Sequence, residues 1–332
     1  MTKKPAKKSP SKKKSAPTAE IAAAMRQFEK LMASGDLITQ DDLDALLASL
    51  HGPSATDGLS DAEADARDEA QELAFDAMEA ETEAQARKLA KRALAKDPDC
   101  VDALVVMAGI ESESPRKMIE ALQKAVAAGE QSLGAKFFKE NTGHFWGLIE
   151  TRPYMRALEQ LAALLRAEGL NLDAIKHYEK ILELNPNDNQ GVRDPLLGLY
   201  LATDNLEGAR KLLKDYEEDS MANFAWGRVL ERFLSGDETG ATVALKKARK
   251  GNRFVELYLS GQKGLPKQMP EMYSPGSDEE AVILLDNMSF AWGEHKEAAF
   301  WLMEQLMKVK AAAKTPATKL RIVSAKPGKK KQ

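Results

Sequence analysis

A 34-residue segment, Met155 to Asp188, constrains the fold more than any other part of the chain. It contains two amphipathic stretches with the spacing of α-helices, separated at Gly169 and followed by Pro186. Glycine and proline at these places are typical of helix ends. Because a single pair of helices cannot bury its apolar faces, the segment predicts that similar pairs stack on either side of it.

The second helix of this unit carries a stripe of an alanine followed by apolar residues four and seven positions later, at Ala174, Tyr178 and Ile181. Similar stripes begin at Ala86, Met118, Ala209 and Ala241. Three of the four steps between them are 32 to 35 residues long, which is typical of tetratricopeptide repeats. The remaining step, from 118 to 174, is 56 residues and predicts an insertion.

The predicted fold is all-α, a tetratricopeptide-type helical solenoid with an atypical C-terminal helical cap and disordered basic tails. Prolines and glycines over 252–276 disfavour a long helix there, and Ser277 is expected to cap the helix that follows. The predicted divisions are a basic tail over 1–18, a helical hairpin over 19–51, a linker over 52–59, the solenoid over 60–307 with its insertion at 133–154, and a basic tail over 308–332.

The net charge of −3 conceals a strong asymmetry. The two tails carry sixteen positive charges and no acidic residue, which leaves −19 on residues 19–307. An acidic body favours cationic partners, whereas lysine clusters bind phosphate without sequence preference. The charge pattern therefore indicates different partners for the body and for the tails.

The composition disfavours several other classes of protein. The one cysteine, Cys100, fits a reducing compartment, and no run of about 20 apolar residues predicts a membrane span. The basic amino end lacks the apolar stretch of a secretory signal, so we expect a cytoplasmic protein. We find no phosphate-binding, dinucleotide-binding or hydrolase motif and no metal-ligand spacing, and we predict no catalytic residue, cofactor or metal.

The inserted segment is the most distinctive part of the chain. Residues 143–156 read GHFWGLIETRPYMR and gather three aromatic residues in a chain that is 6% aromatic. Two interpretations stay open: a recognition surface, because Trp, Tyr and Arg anchor many interfaces, and a hydrophobic plug that fixes the insertion to the solenoid. On the first interpretation Trp146 or Arg152 contacts a partner peptide.

The segment 185–193, NPNDNQGVR, also has two interpretations. Asn, Asp and Gly suit the turn between two helices, with Asp188 or Asn189 as a helix cap. The alternative is a polar pocket in which Arg152 or Arg156 pairs with Asp188.

These segments carry a family resemblance. Residues 143–157, 185–193, 252–266 (NRFVxxYLxGxKxLP) and 273–281 (YSPGSxEEA) resemble a family of bacterial tetratricopeptide proteins. The carboxyl half is more distantly similar to the suppression-of-tumorigenicity-seven proteins. The resemblance spans about residues 60–305 and implies the helical-repeat fold, without implying a biochemical activity.

The first helix of each repeat is expected to line the concave groove. Lys and Asn would be needed there to clamp a terminal carboxylate, and the chain instead has Glu159, Ala163, Asp194 and Gly198. The groove and the insertion together give nine candidate partner-binding residues: His144, Trp146, Arg152, Tyr154, Arg156, Glu159, Arg166, Asp194 and Trp226. For Trp226, burial against the next helix is the competing interpretation.

Three functions are compatible with the sequence. We favour a non-catalytic protein-interaction scaffold whose acidic groove binds a basic or amphipathic protein segment. The alternative is a nucleic-acid or ribosome-associated protein anchored by its lysine-rich tails. An enzyme built on the inserted segment is the third hypothesis.

Overall fold

A computed structural model of the chain describes residues 60–314. This range contains thirteen α-helices, two 3₁₀ turns and no β-strand, so the all-α prediction is confirmed for this part of the chain. The tail over 1–18, the hairpin over 19–51, the linker over 52–59 and residues 315–332 lie outside the described residues. The predicted start of the carboxyl tail at 308 is wrong, because the last helix continues to Lys314.

The helices follow one another with short connections. They are α1 (Asp61–Met78), α2 (Glu83–Lys96), α3 (Val101–Glu111), α4 (Pro115–Asn141), α5 (Arg152–Ala167), α6 (Asn171–Leu184), α7 (Arg193–Ala202), α8 (Leu206–Asp215), α9 (Ala222–Leu234), α10 (Glu238–Gly251), α11 (Val255–Leu259), α12 (Asp278–Glu294) and α13 (Lys296–Lys314). None of these helices is long and apolar enough to cross a membrane.

Consecutive helices pack in pairs from α1 and α2 through α9 and α10. The second helix of each pair carries the predicted stripe, and the stripe residues Ala174, Tyr178 and Ile181 of α6 are all buried. Local sequence also sets where these second helices begin. In α8 and α10 the side chains of the N-cap residues Asn205 and Asp237 each accept a hydrogen bond from a backbone N–H of the first helical turn. These N–H groups would otherwise have no hydrogen-bond partner within the helix.

The 56-residue step is explained by a long helix and an irregular connection. Helix α4 has 27 residues and bends at Gly134, whose φ of 75° is accessible to glycine at little cost. Two 3₁₀ turns, Phe145–Gly147 and Ile149–Thr151, then lead into α5. The predicted insertion over 133–154 therefore contains the end of α4, both turns and the first residues of α5.

The buried residues fall into two clusters. A small cluster consists mainly of alanines from α1 and α2 with residues of α3, and a large one extends from α3 to α13. Alanine side chains bury little apolar area, so the small cluster contributes less hydrophobic stabilisation than the large one.

Helix α12 packs against the carboxyl half of the helical array. It contacts α7 and α9, which precede it by more than 40 residues, as well as its neighbours α11 and α13. The predicted cap at Ser277 is present, because its Oγ accepts a hydrogen bond from the Glu280 N–H at 3.2 Å. Leu284, Met288 and Trp292 are buried along its contact side.

Candidate functional site

The first helices α1, α3 and α5 are joined by the carboxylate of Asp102, whose side chain is 1% exposed. Arg156 of α5 donates from Nε to Asp102 Oδ1 at 3.1 Å and pairs with Oδ2 through its second nitrogen. Gln71 of α1 donates to Oδ2 at 2.7 Å. A bidentate arginine adds geometric specificity to an ion pair, so this contact fixes the relative positions of the three helices.

A partly exposed surface surrounds this ion pair, and we call it the open face. The Arg156 guanidinium lies 5.8 Å from the centre of the Phe75 ring. Phe75 is 44% exposed and Met78, three residues further along α1, is 43% exposed. The open face consists of Gln71, Phe75, Met78, Arg152, Arg156 and Glu159.

Glu159 lies one turn beyond Arg156 on α5. Gln190 donates from Nε2 to Glu159 Oε2 at 2.6 Å and to the Met155 carbonyl at 3.0 Å. Burial raises the pKa of Glu159, and the hydrogen bond from Gln190 opposes that rise. Gln190 therefore connects the turn over 185–193 to the open face.

Arg152 and Trp146 extend the open face toward the insertion. Arg152 donates from Nε to the Trp146 carbonyl at 3.4 Å, and its guanidinium lies 5.5 Å from the centre of the Trp146 ring. His144 is exposed beside them, and Ile149 is 73% exposed. These side chains are available to a partner, as the recognition interpretation requires.

The other half of the aromatic segment is a plug. Phe145 and Tyr154 are buried, and Phe145 packs against Phe137 and Phe138 of α4. Tyr154 donates from its hydroxyl to Glu130 Oε1 at 3.1 Å. Tyr154 is 1% exposed, so its place among the candidate partner contacts is corrected to a core position.

The carboxyl half of the predicted groove is covered by α12. Arg166 donates to the Asp286 carbonyl and carboxylate at 2.9 Å each. Trp226 is completely buried, with its ring 6.5 Å from that of Trp292. Trp226 is therefore corrected to a core position, whereas Arg166 pairs with α12 and its place among the candidate partner contacts stays a prediction.

The turn over 185–193 is built around Arg193. Asp188 accepts hydrogen bonds from the Val192 N–H at 2.8 Å and from an Arg193 guanidinium nitrogen at 3.0 Å. Arg193 also donates to Asp219 at 3.0 Å and lies 5.3 Å from the centre of the Tyr216 ring. The alternative pairing of Asp188 with Arg152 or Arg156 is wrong, because Arg193 occupies that carboxylate.

Asp194 lies next to this network and is half-buried. Burial raises the pKa of its carboxyl to about 6, although Asn223 donates to Oδ2 at 2.8 Å. The neighbouring carboxylates of Asp188 and Asp219 oppose its ionisation as well. Asp194 is thus placed in the interior network rather than on the open face.

Asp194→Asn is expected to reduce the pH dependence of stability. A carboxyl whose folded pKa exceeds its unfolded value favours folding when protonated, so the contribution of Asp194 to the stability of the wild type should fall by roughly 2 to 3 kcal/mol as pH rises from about 4 to about 6. The asparagine variant should lack this component and be more stable at pH 8. Urea unfolding at several pH values measures it, with the exposed Glu218→Gln as control. Parallel curves for Asp194→Asn and wild type would contradict the assignment.

Within residues 60–314, no three His, Cys, Asp or Glu side chains are grouped to hold a metal ion. Burial raises the pKa of the Cys100 thiol to about 11, which disfavours the reactive thiolate. Comparison with protein-family models and with curated proteins finds no match. The family resemblance of the repeat segments therefore stays a prediction.

Proposed function

We propose that the protein is a non-catalytic interaction scaffold, a tetratricopeptide-type solenoid that binds an amphipathic protein segment on the open face. The observation that carries this proposal is the contrast between the two halves of the row of first helices. The carboxyl half is covered by α12, whereas the open face presents Phe75 and Met78 beside Arg152 and Arg156.

The way in which helix α12 packs on the array supports the proposal of an amphipathic partner. It lies on α7 and α9 with Leu284, Met288 and Trp292 buried, while Asp286 pairs with Arg166 at its edge. An amphipathic helix laid into a groove is a common recognition mode. The open face offers the same combination of apolar side chains and arginines to a segment from another protein.

The electrostatics also favour a protein ligand with a mixed charge pattern. The body is strongly acidic, which speeds the approach of cationic segments. At the open face, the Arg152 guanidinium can donate hydrogen bonds to an acidic or carbonyl group of a partner, and Glu159 lies at the far edge. We therefore propose a partner with an apolar stripe, an acidic or carbonyl group that faces Arg152, and basic flanks, and retain tail-mediated nucleic-acid binding as the alternative.

Trp146→Ala and Arg152→Ala are expected to weaken binding without unfolding the protein. Neither side chain is fully buried, so each melting temperature should change little. Truncation of an interface anchor costs about 1.4 kcal/mol or more of binding free energy, which is tenfold or more in affinity. Peptides selected from a displayed random library with the full chain supply the ligands, and fluorescence anisotropy measures their affinities.

Leu172→Ala and Arg116→Ala are matched controls on other surfaces, where the two side chains are 68% and 89% exposed. Both should bind the selected peptides normally. If Trp146→Ala and Arg152→Ala instead lose several degrees of melting temperature and bind only proportionately less, the segment is a structural plug. If no protein ligand binds but a lysine-dependent nucleic acid does, the scaffold proposal fails and the alternative replaces it.

A further inference from the structure

Helix α13 carries an apolar stripe that no described residue covers. Phe300, Met303 and Met307 lie three and four residues apart, and they are 65%, 44% and 68% exposed. The opposite side of the helix, with Ala298, Trp301 and Leu302, is buried against the body. The end helices of repeat arrays normally present a polar outer face to water, so a large apolar stripe here requires a cover.

A shallow depression with an acidic rim adjoins this stripe. It has a volume of about 450 Å³, and its apolar walls are Phe233, Phe300 and Trp301. Glu238, Glu297 and Glu304 also line it together with one basic residue, Lys296, so its rim is acidic on balance, and no ion pair joins any of the three carboxylates to a side chain described over 60–309. An apolar surface edged by unpaired carboxylates fits a segment that is both apolar and basic.

The chain has such a segment directly after α13. Residues 315–332 contain six basic residues and no acidic one. Their only large apolar residues are Leu320, Ile322 and Val323, interleaved with Lys319 and Arg321. Pro316 disfavours continuation of α13 in the same direction.

The distances allow this segment to return along α13. Met307 lies seven residues before Lys314, which is about 10 Å along the helix axis, and Phe300 is about 21 Å away. The eight residues from 315 to 322 span up to about 27 Å when extended. Ile322 can therefore reach any part of the stripe from the end of the helix.

We propose that residues 319–323 of the chain dock on the α13 stripe, with Leu320, Ile322 and Val323 on its apolar side chains and Lys319 and Arg321 at the carboxylates of Glu297 and Glu304. Docking withdraws part of the basic tail from polyanions and covers the apolar end of the array. This contact is separate from the open face, so it stands or falls independently of the scaffold proposal.

Zero-length carbodiimide cross-linking of the full chain tests the contact, because it joins a lysine only to a carboxylate that it touches. An equal mixture of ¹⁴N- and ¹⁵N-labelled protein separates links within one chain from links between chains. The expected result is a link within one chain from Lys319 to Glu297, Glu304 or Glu238, identified by mass spectrometry.

Paired variants separate docking from nonspecific charge attraction. Ile322→Asp and Phe300→Ser should each lower the yield of the link at least about fivefold, the factor that corresponds to about 1 kcal/mol. Ser324→Asp adds the same charge to the tail without removing an apolar residue, and Leu172→Ser removes an equally exposed one elsewhere. Both controls should retain the link.

Three results would overturn the proposal. Absence of links within one chain would show that the segment does not reach the stripe. Links only between differently labelled chains would show that a second copy covers it. Links that Ile322→Asp and Phe300→Ser leave unchanged would show attraction by charge alone.

Discussion

Gly198→Ala is expected to force α12 away from α7 and to lower the free energy of unfolding by about 3 kcal/mol or more. A Cβ atom at this position would lie 2.0 Å from the Asn287 carbonyl oxygen and 3.0 Å from its carbon. Both are backbone atoms within α12, so no side-chain rotation can relieve the overlap. The whole helix must shift, together with the contacts of Met288 and Trp292.

Guanidinium unfolding measures the loss of stability, and hydrogen exchange of the α12 amides shows where it occurs. Gly109→Ala is the matched control, since a Cβ there meets no atom within 4 Å. Replacing a glycine inside a helix with alanine without overlap should stabilise that variant by about 0.5 to 1 kcal/mol. Unchanged exchange of α12 in Gly198→Ala would contradict the close approach of the two helices.

Ala174→Glu is expected to destabilise the central helical pair by about 3 kcal/mol or more, because the substitution buries a charge without a partner and overpacks the core. Ala174 is completely buried on the contact side of α6. Thermal and denaturant unfolding should both show the loss.

Leu172→Glu places the same side chain two residues earlier on α6, where the native side chain is 68% exposed. That variant should unfold close to the wild type. If the two variants had equal melting temperatures, the inferred contact side of α6 would be incorrect.

The features that were predictable from the sequence are set by interactions between near neighbours. The stripe of Ala174, Tyr178 and Ile181 and the cap at Ser277 involve residues within about two helical turns of each other. Such signals are visible as spacings, because helix geometry fixes which residues share a side. The helices and their buried stripes were therefore predictable.

The cover provided by α12 was not predictable by the same means. Arg166 and Asp286 form an ion pair although 120 residues separate them in the sequence. At Gly198 the close contact is with the backbone carbonyl of Asn287, so the identity of residue 287 does not indicate the contact. Gly198 itself was a clue, because a glycine inside a helix costs stability and often marks a close contact. From the sequence we predict a groove position for it, and the structure places it under α12.

The predicted pairing of Asp188 with Arg152 or Arg156 was wrong for a related reason. Asp188 pairs with Arg193, five residues away and within the same turn, whereas Arg156 reaches Asp102 across 54 residues. Spacing on α5 identified Arg152, Arg156 and Glu159 as one side of a helix. It contained no information about which carboxylate of another helix faces each arginine.

The placement of α12 also changes how the chain should melt. In an array whose units touch only their neighbours, each unit can open while the rest stay folded. Here α12 ties α7 and α9 to a helix that follows them by more than 40 residues, so opening any one of the three exposes the apolar surface of the others. The carboxyl half should therefore unfold cooperatively as one block, and the alanine-rich pair of α1 and α2 should open before it.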